Sequence, residues 1–236
     1  ILVGTARSAL AYRFQTHKYS LTLQKMAEIC SPRNTHPLNF SNISWEAVNS
    51  ALGDGAGNIV FPKSNYYHKY VNRSAGTRVY YSAAVLFSYD EVYLNRLEAY
   101  LMSGNLDQFR RDLFTYLIPK THNSSRPNEA YPFPRMTFER YMTQAALDRR
   151  YQGRGVDFDP SYPLSTRQRE WLQAVVDIRR VEFVQEGLRW FDNKRLGMKV
   201  VHKVGDGQIE LTKEDPRREL QIPNSALEFG MAPNPR

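Results

Sequence analysis

The stretch from Ser165 to Gly197, STRQREWLQAVVDIRRVEFVQEGLRWFDNKRLG, limits what this chain can fold into more than any other part of it, because it carries the longest uninterrupted helical pattern. Ser165 followed by Gln168 has the spacing of a capping box. Gly197 stands where a helix-ending glycine belongs, and Lys194 and Arg195 fall in the last turn, where positive charge suits the helix dipole. At about 100° per residue, Glu182, Glu186, Arg189 and Asn193 share one narrow stripe with Arg179 beside it. Val181, Val184, Leu188 and Phe191 form an apolar face, and Phe183 and Trp190 point to another side. The pattern predicts one long central helix enclosed by protein, its charges paired with one another or with neighbouring elements. Gly187 then marks a close backbone approach, and the pairs Glu186 with Arg189 and Asp192 with Arg195 have same-helix ion-pair spacing. Structural pairing outweighs catalysis as the reading of this cluster.

In chain order, Leu2 to Phe14 has helical spacing, and Ser20 is placed to cap a second helix with Leu23, Met26, Ala27 and Cys30 inward, ended by Pro32. Ser44 starts a short helix sharing Trp45, Val48 and Leu52 on one face and closed by Gly53. From Gly53 to Phe87 the character changes to a glycine-rich turn, short β pieces at Asn58 to Phe61 and Arg78 to Ser82, and many tyrosines. Ser88 with Glu91 opens a helix in which Tyr93, Leu97, Tyr100 and Leu101 recur on one face. Gly104 stops it, and a partner helix from Asp107 carries Phe109, Leu113 and Leu117 inward until Pro119. A long loop from Lys120 to Pro134 precedes a helix from Met136 to Arg150 with Phe138, Tyr141, Met142 and Ala145 on one face. A Gly, Asp and Pro rich connection, Tyr151 to Leu164, leads to the central helix. Beyond Gly197, Lys199 to Val204 and Gln208 to Thr212 flank Gly205, Asp206 and Gly207 as a hairpin, followed by an extended tail.

A chain of 236 residues buries about 70 to 75% of its unfolded surface, enough for one sizeable domain. No run of 18 apolar residues is present, and no secretory leader pattern opens the segment at Ile1. The absence of Met at the start points to the later part of a longer polypeptide. The single Cys30 excludes an intrachain disulfide and a thiolate-rich metal site within the segment. The formal charge of +8 permits an anionic partner, but Lys and Arg read as scattered among acids, which makes a solvated basic surface the default.

Gly53, Gly55 and Gly57 lack the strand and helix context of a nucleotide loop, and Asp54 to Asn58 lacks the spaced carboxylates of a calcium loop; a plain turn fits both. Asp157 and Asp159 are the best pair for glycoside hydrolysis, but in a Pro and Gly rich loop they read as turn residues. His17, His36, His68, His122 and His202 are far apart, so no metal centre is expected. No nucleic-acid motif is present. These residues favour neither a glycoside hydrolase, a metal enzyme nor a nucleic-acid binder, and no cofactor is expected.

Three stretches carry a resemblance. RRVEFVQEGLRWFDNKRLG resembles the signature of the SusD/RagB family of Bacteroidetes outer-membrane lipoproteins, matching at Arg179, Arg180, Glu182, Phe183, Glu186, Gly187, Arg189, Trp190, Phe191, Asp192 and Arg195. Ile178 stands where the family often has Glu, and Leu188 where it often has His. Glu91, Val92, Tyr93, Leu94, Glu98 and Ala99 are similar to the family's EVYLxxAEA helix, with Leu97 in place of Ala. Asp215, Pro216, Ile222, Pro223, Asn234 and Pro235 resemble its closing segment. Together they span Tyr89 to Arg236, and residues 1–88 match nothing.

The resemblance implies a mainly α, SusD-like fold with tetratricopeptide-like helix pairs, long irregular loops and a few short β-strands, forming one domain over residues 1–236 that is the C-terminal part of a longer chain. It implies a cell-surface position at the outer membrane through an upstream lipid anchor. It also implies a SusC-like TonB-dependent transporter as partner, and capture of glycans, or sometimes peptides, without chemistry. Sugar binding needs flat aromatic faces beside amide and guanidinium hydrogen bonders. The residues that supply both are Tyr66, Tyr67, Tyr70, Asn72 and Arg73, with Trp45, Tyr131 and Phe133 as second choices. The alternative is a helical-repeat module that binds a peptide or another protein.

Overall fold

Ser165 caps its helix as the sequence requires: its Oγ accepts the Gln168 N–H at 3.3 Å, and Gln168 Oε1 accepts the Ser165 N–H at 3.0 Å. In the computed structural model, which describes residues 2–7, 21–38, 43–49, 51–53, 58–61, 65–123 and 137–234, that helix runs over Thr166–Glu182. Around it lie helices α1 (Leu23–Cys30), α2 (Tyr89–Met102), α3 (Leu106–Leu117) and α4 (Gln144–Tyr151), so the central helix is α5. Its Trp171, Leu172, Ala174, Val175, Val176, Ile178 and Val181 are all buried, on more than one side, as a helix enclosed by protein must be. Trp171 stacks on Phe109 of α3 with ring centroids 5.6 Å apart, and its Nε1 donates to Asp148 of α4 at 2.9 Å.

The expected single helix to Gly197 is interrupted. The Phe183 N–H closes on Arg179 O at 3.0 Å, then Gln185 takes φ +65° and Gly187 φ +82°, and a second helix, α6, covers Arg189–Arg195. A positive φ costs Gln185 about 1 to 2 kcal/mol. Its side chain offsets this, since Oε1 accepts the Phe61 N–H at 2.8 Å and ties a strand end to the break. Gly187 is therefore not a point of close approach: a Cβ built there meets nothing within 4 Å, and glycine serves its φ. Glu186 and Arg189 do not share a helix, whereas Asp192 and Arg195 do, 3.0 Å apart.

The helix pair expected from Ser88 to Pro119 forms. Ser88 Oγ accepts the Glu91 N–H at 3.1 Å, Gly104 turns at φ +76°, and Asn105 Oδ1 accepts the Gln108 N–H at 3.3 Å to start α3. Tyr93, Leu94, Leu97 and Leu101 of α2 and Phe109, Leu113, Tyr116 and Leu117 of α3 are buried. The helix expected over Met136 to Arg150 is two: one turn at Phe138–Tyr141, then α4, which restarts because Thr143 Oγ1 accepts the Ala146 N–H at 3.1 Å. Met142 and Leu147 face the core, while Ala145 is exposed.

The first half of the chain departs most from expectation. Leu2–Arg7 is strand β1, not helix, and the rest of that predicted helix lies outside the described residues. Strand β1 pairs antiparallel with strand β7 (Thr77–Phe87), so sheet pairing overrides a weak local helical spacing. Helix α1 starts at Leu23, with Thr22 as its cap, and buries Ile29 and Cys30, leaving Leu23 and Ala27 exposed. It ends at Cys30, ahead of Pro32 as expected, and Pro32 begins a further turn, Pro32–Thr35. The helix expected from Ser44 is strand β3 (Ile43–Trp45) followed by one turn, Glu46–Asn49.

Among the described residues, four small antiparallel sheets result. Strands β2 (Leu21–Thr22), β5 (Asn58–Val60) and β4 (Leu52–Gly53) form one, and β3 pairs with β8 (Thr121–Asn123). Strand β1, β7 (Thr77–Phe87) and β6 (Asn65–Asn72) form another, in the order β1-β7-β6. The hairpin of β9 (Val200–Val204) and β10 (Gly207–Leu211) turns at Gly205, φ +58°, as the glycines indicate. Behind it, Arg218 is 3% exposed and donates to the carbonyls of Met198, Thr212 and Asn193 at 2.9, 3.0 and 2.6 Å, fixing the tail to the end of α6. The chain is thus mainly α with a few short strands.

Candidate functional site

Strands β6 and β7 form a ribbon whose far end, from His68 to Arg78, is exposed throughout. Tyr66 and Tyr67 lie in β6 with backbones opposite Ser82 and Tyr81. Toward the tip, Tyr70 pairs with Arg78, and the chain bulges at Val71 before Asn72, whose Oδ1 accepts the Ala75 N–H at 3.0 Å. The guanidinium of Arg78 sits 4.7 Å from the Tyr70 ring centroid and that of Arg73 at 5.9 Å, while His68 meets the ring edge-on at 5.3 Å. Tyr70, Asn72 and Arg73 are therefore brought together, with the Arg78 guanidinium set against the Tyr70 ring.

Trp45 is a core residue. It is 2% exposed, donates from Nε1 to Thr35 Oγ1 at 2.9 Å, and packs 4.1 Å from the His36 ring. Its faces are closed to ligand, because strand β3 turns it inward. Tyr131 and Phe133 lie outside the described residues. Asp157 and Asp159 are both exposed, Asp157 in a turn and Asp159 in the irregular segment after it; the Asp159 N–H donates to Leu196 O at 2.8 Å and its carboxylate faces Lys213 at 3.5 Å. Among the described residues, no group of three or more His, Cys, Asp or Glu is placed to hold a metal ion, and no helix is long and apolar enough to cross a membrane.

One basic feature escaped the reading of scattered charge. Between Asp54 and Asp90 the chain carries Lys63, Lys69, Arg73 and Arg78 and no acid, so half of the formal +8 sits in this stretch. A charge tally by segment would have found it.

A second site has no signature in the sequence. A cavity of about 420 Å³ is lined by Pro37, Arg140, Tyr141, Ala146, Arg149 and Arg150, in the size range of small-ligand sites and, among the described residues, with no carboxylate in its lining. Ala146, Arg149 and Arg150 share one face of α4 at i, i+3 and i+4. Arg140 and Tyr141 come from the preceding turn. In one continuous helix, Arg140 and Arg149 would face opposite ways, about 13 Å apart along the axis; the break at Met142 and Thr143 sets them around one space. Arg150 is held in place by Nη2, which donates to the carbonyls of Arg33 and His36 at 2.9 and 3.0 Å, while its Nε is buried with no hydrogen-bond partner. The Arg140 guanidinium lies 5.3 Å from the Tyr141 ring centroid.

The buried charges elsewhere are structural. Arg179 Nε donates to Asp192 at 2.9 and 3.1 Å, its Nη1 reaches Asn95 at 3.0 Å, and Arg195 bridges Asp192 to Glu98. Burial raises the Asp177 carboxyl to about 6 against a hydrogen bond from Gln173 that lowers it. Neither group opens onto the arginine-lined cavity.

No family model, no curated protein and no solved structure matches the chain.

Proposed function

We propose that this chain belongs to a non-catalytic, SusD/RagB-like surface protein that captures glycans and passes them to a SusC-like TonB-dependent outer-membrane transporter. Its helix pair α2–α3 is the tetratricopeptide-like unit of that fold, and an upstream lipid anchor holds it at the cell surface.

The observation that supports this reading is the meeting of the matched residues. Arg179 and Asp192 come from one matched stretch, and through Arg195 they join Glu98 of the second, 97 residues away. In the third, Asn234 and Ile222 are clasped by one side chain: Gln221 Oε1 accepts the Asn234 N–H at 2.7 Å and the Ile222 N–H at 3.0 Å. A motif kept to build a fold needs such contacts, whereas chance letter agreement does not.

The test is a panel of neutral and acidic polysaccharides run in affinity gels with the full-length gene product, beside co-purification from outer membranes. Retarded migration in at least one glycan and recovery of a transporter-sized partner are expected. Binding of peptides with no glycan retained would overturn the reading in favour of a helical interaction module.

A further inference from the structure

We propose that the cavity between the Phe138–Tyr141 turn and α4 binds an anionic sugar unit, its carboxylate or sulfate ester held by Arg140, Arg149 and Arg150 and its ring face set against Tyr141. The proposal rests on the glycan-capture reading and names the substrate class for it.

Arg140, Arg149 and Arg150 line one concavity, and among the described residues no carboxylate lines it, so positive charge is available there to an entering anion. Arg140 and Arg149 are exposed and make no ion pair among the described residues. Arg150 differs from both. Its Nη2 is fixed by two backbone carbonyls, so the planar fork is oriented beforehand and little side-chain freedom remains to be lost on binding. The planar forks of Arg140 and Arg149 match the two-oxygen geometry of a carboxylate or sulfate, which an ammonium does not, while Arg150, with Nη2 committed and Nε buried, keeps Nη1 for the anion. Pro37 and Tyr141 supply the apolar wall that a sugar ring requires and a bare inorganic ion does not. The volume of about 420 Å³ admits one or two sugar rings but not a folded partner.

The hairpin tip is the competing anion site. There Arg73 and Arg78 lie against Tyr70 on a ribbon exposed from His68 to Arg78, whereas the arginines of α4 and the preceding turn line a cavity.

The experiment is titration calorimetry of the full-length protein with digalacturonate, a sulfated disaccharide and a neutral disaccharide of similar size, repeated on Arg140→Gln, Arg149→Gln and the double variant. Both positions are exposed, so circular dichroism and melting should match the parent. Binding of an acidic disaccharide, about tenfold weaker in each single variant and weaker again at higher salt, is expected. Whichever of the two acidic probes binds tells carboxylate from sulfate. Affinity unchanged by the variants, or equal affinity for the neutral sugar, would sink the cavity proposal while leaving glycan capture standing. Sodium sulfate or acetate binding as tightly as the disaccharides would mean an adventitious ion only. Tighter binding of a short single-stranded RNA than of either acidic sugar, lost in the variants, would reassign the cavity. Retention of no glycan, neutral or acidic, would overturn both readings together.

Discussion

Arg179 and Asp192 are 13 residues apart in sequence and 2.9 Å apart in space, with side chains 6% and 1% exposed. Each charge is buried only because the other is. Asp192→Ala leaves the Arg179 guanidinium without its counter-charge and loosens Arg195 as well, so a loss of about 3 to 5 kcal/mol is expected. Urea unfolding measures it; a loss below 1 kcal/mol would mean that water already reaches the pair.

Two glycines separate φ strain from steric clash. At Gly187, φ +82° and open space around the Cβ direction predict that Ala costs about 1 to 2 kcal/mol, and Leu little more. At Gly197, a Cβ would stand 2.1 Å from Asp159 O, so Gly197→Ala should cost well beyond that strain. Melting of the three variants ranks them, and equal losses at the two sites would refute the assignment.

The acid limb of stability has two opposed contributions. Burial, with repulsion from Arg150 second, lowers His36 to about 3. Its Nδ1 accepts the Leu38 N–H at 3.1 Å, which leaves Nε2 to donate to Thr121 Oγ1 at 3.0 Å. From about pH 6.5 down to 3, the unfolded chain takes up a proton here that the folded chain refuses. This stability is therefore present above 6.5 and lost as pH falls, by up to about 1.4 kcal/mol per unit. Asp177, raised to about 6 by burial, has the opposite sign: its contribution is present below about 3.8 and lost as pH rises through 6. The slopes oppose each other between about pH 4 and 6, so Asp177→Asn should steepen the decline on acidification. Urea midpoints at four pH values check this, and parallel curves for variant and parent would refute it.

Arg218 replaced by Lys keeps the charge but loses the fork that reaches three carbonyls. A cost of about 1.5 to 3 kcal/mol and faster proteolysis of the segment after Thr212 are expected. Mass spectrometry of limited digests reads the second effect, and an unchanged cleavage pattern would show that the tail is held by other contacts.

For the ribbon, Tyr66→Ala with Tyr67→Ala should weaken glycan retention with the melting temperature preserved. Arg78→Ala should uncover the Tyr70 ring and lower the salt dependence of any anion binding. Affinity gels run at two salt concentrations test both, and unaltered retention in the tyrosine variant removes the ribbon from the glycan site.

Local chemistry was enough to fix the caps at Ser165 and Ser88, the turn at Gly205, the inward faces of α2 and α3, and the buried first half of the central helix. Each of these depends on residues within one or two turns of each other. The break after Glu182 was not legible, because VEFVQEG has an unbroken helical period and no proline. The residues after the break are tied to a distant strand end, where the Phe61 N–H donates to Gln185 Oε1 across 124 residues of sequence. Strand β1 likewise owes its form to β7, and Trp45 its burial to Thr35 and His36. The arginine-lined cavity follows the same rule. Its cations sit on two short helices whose mutual angle is set by packing on the core, and no periodicity in the chain encodes that angle. The sequence by itself determined the pieces whose energy is local; only the tertiary structure decided where they stop and which charges they bring together.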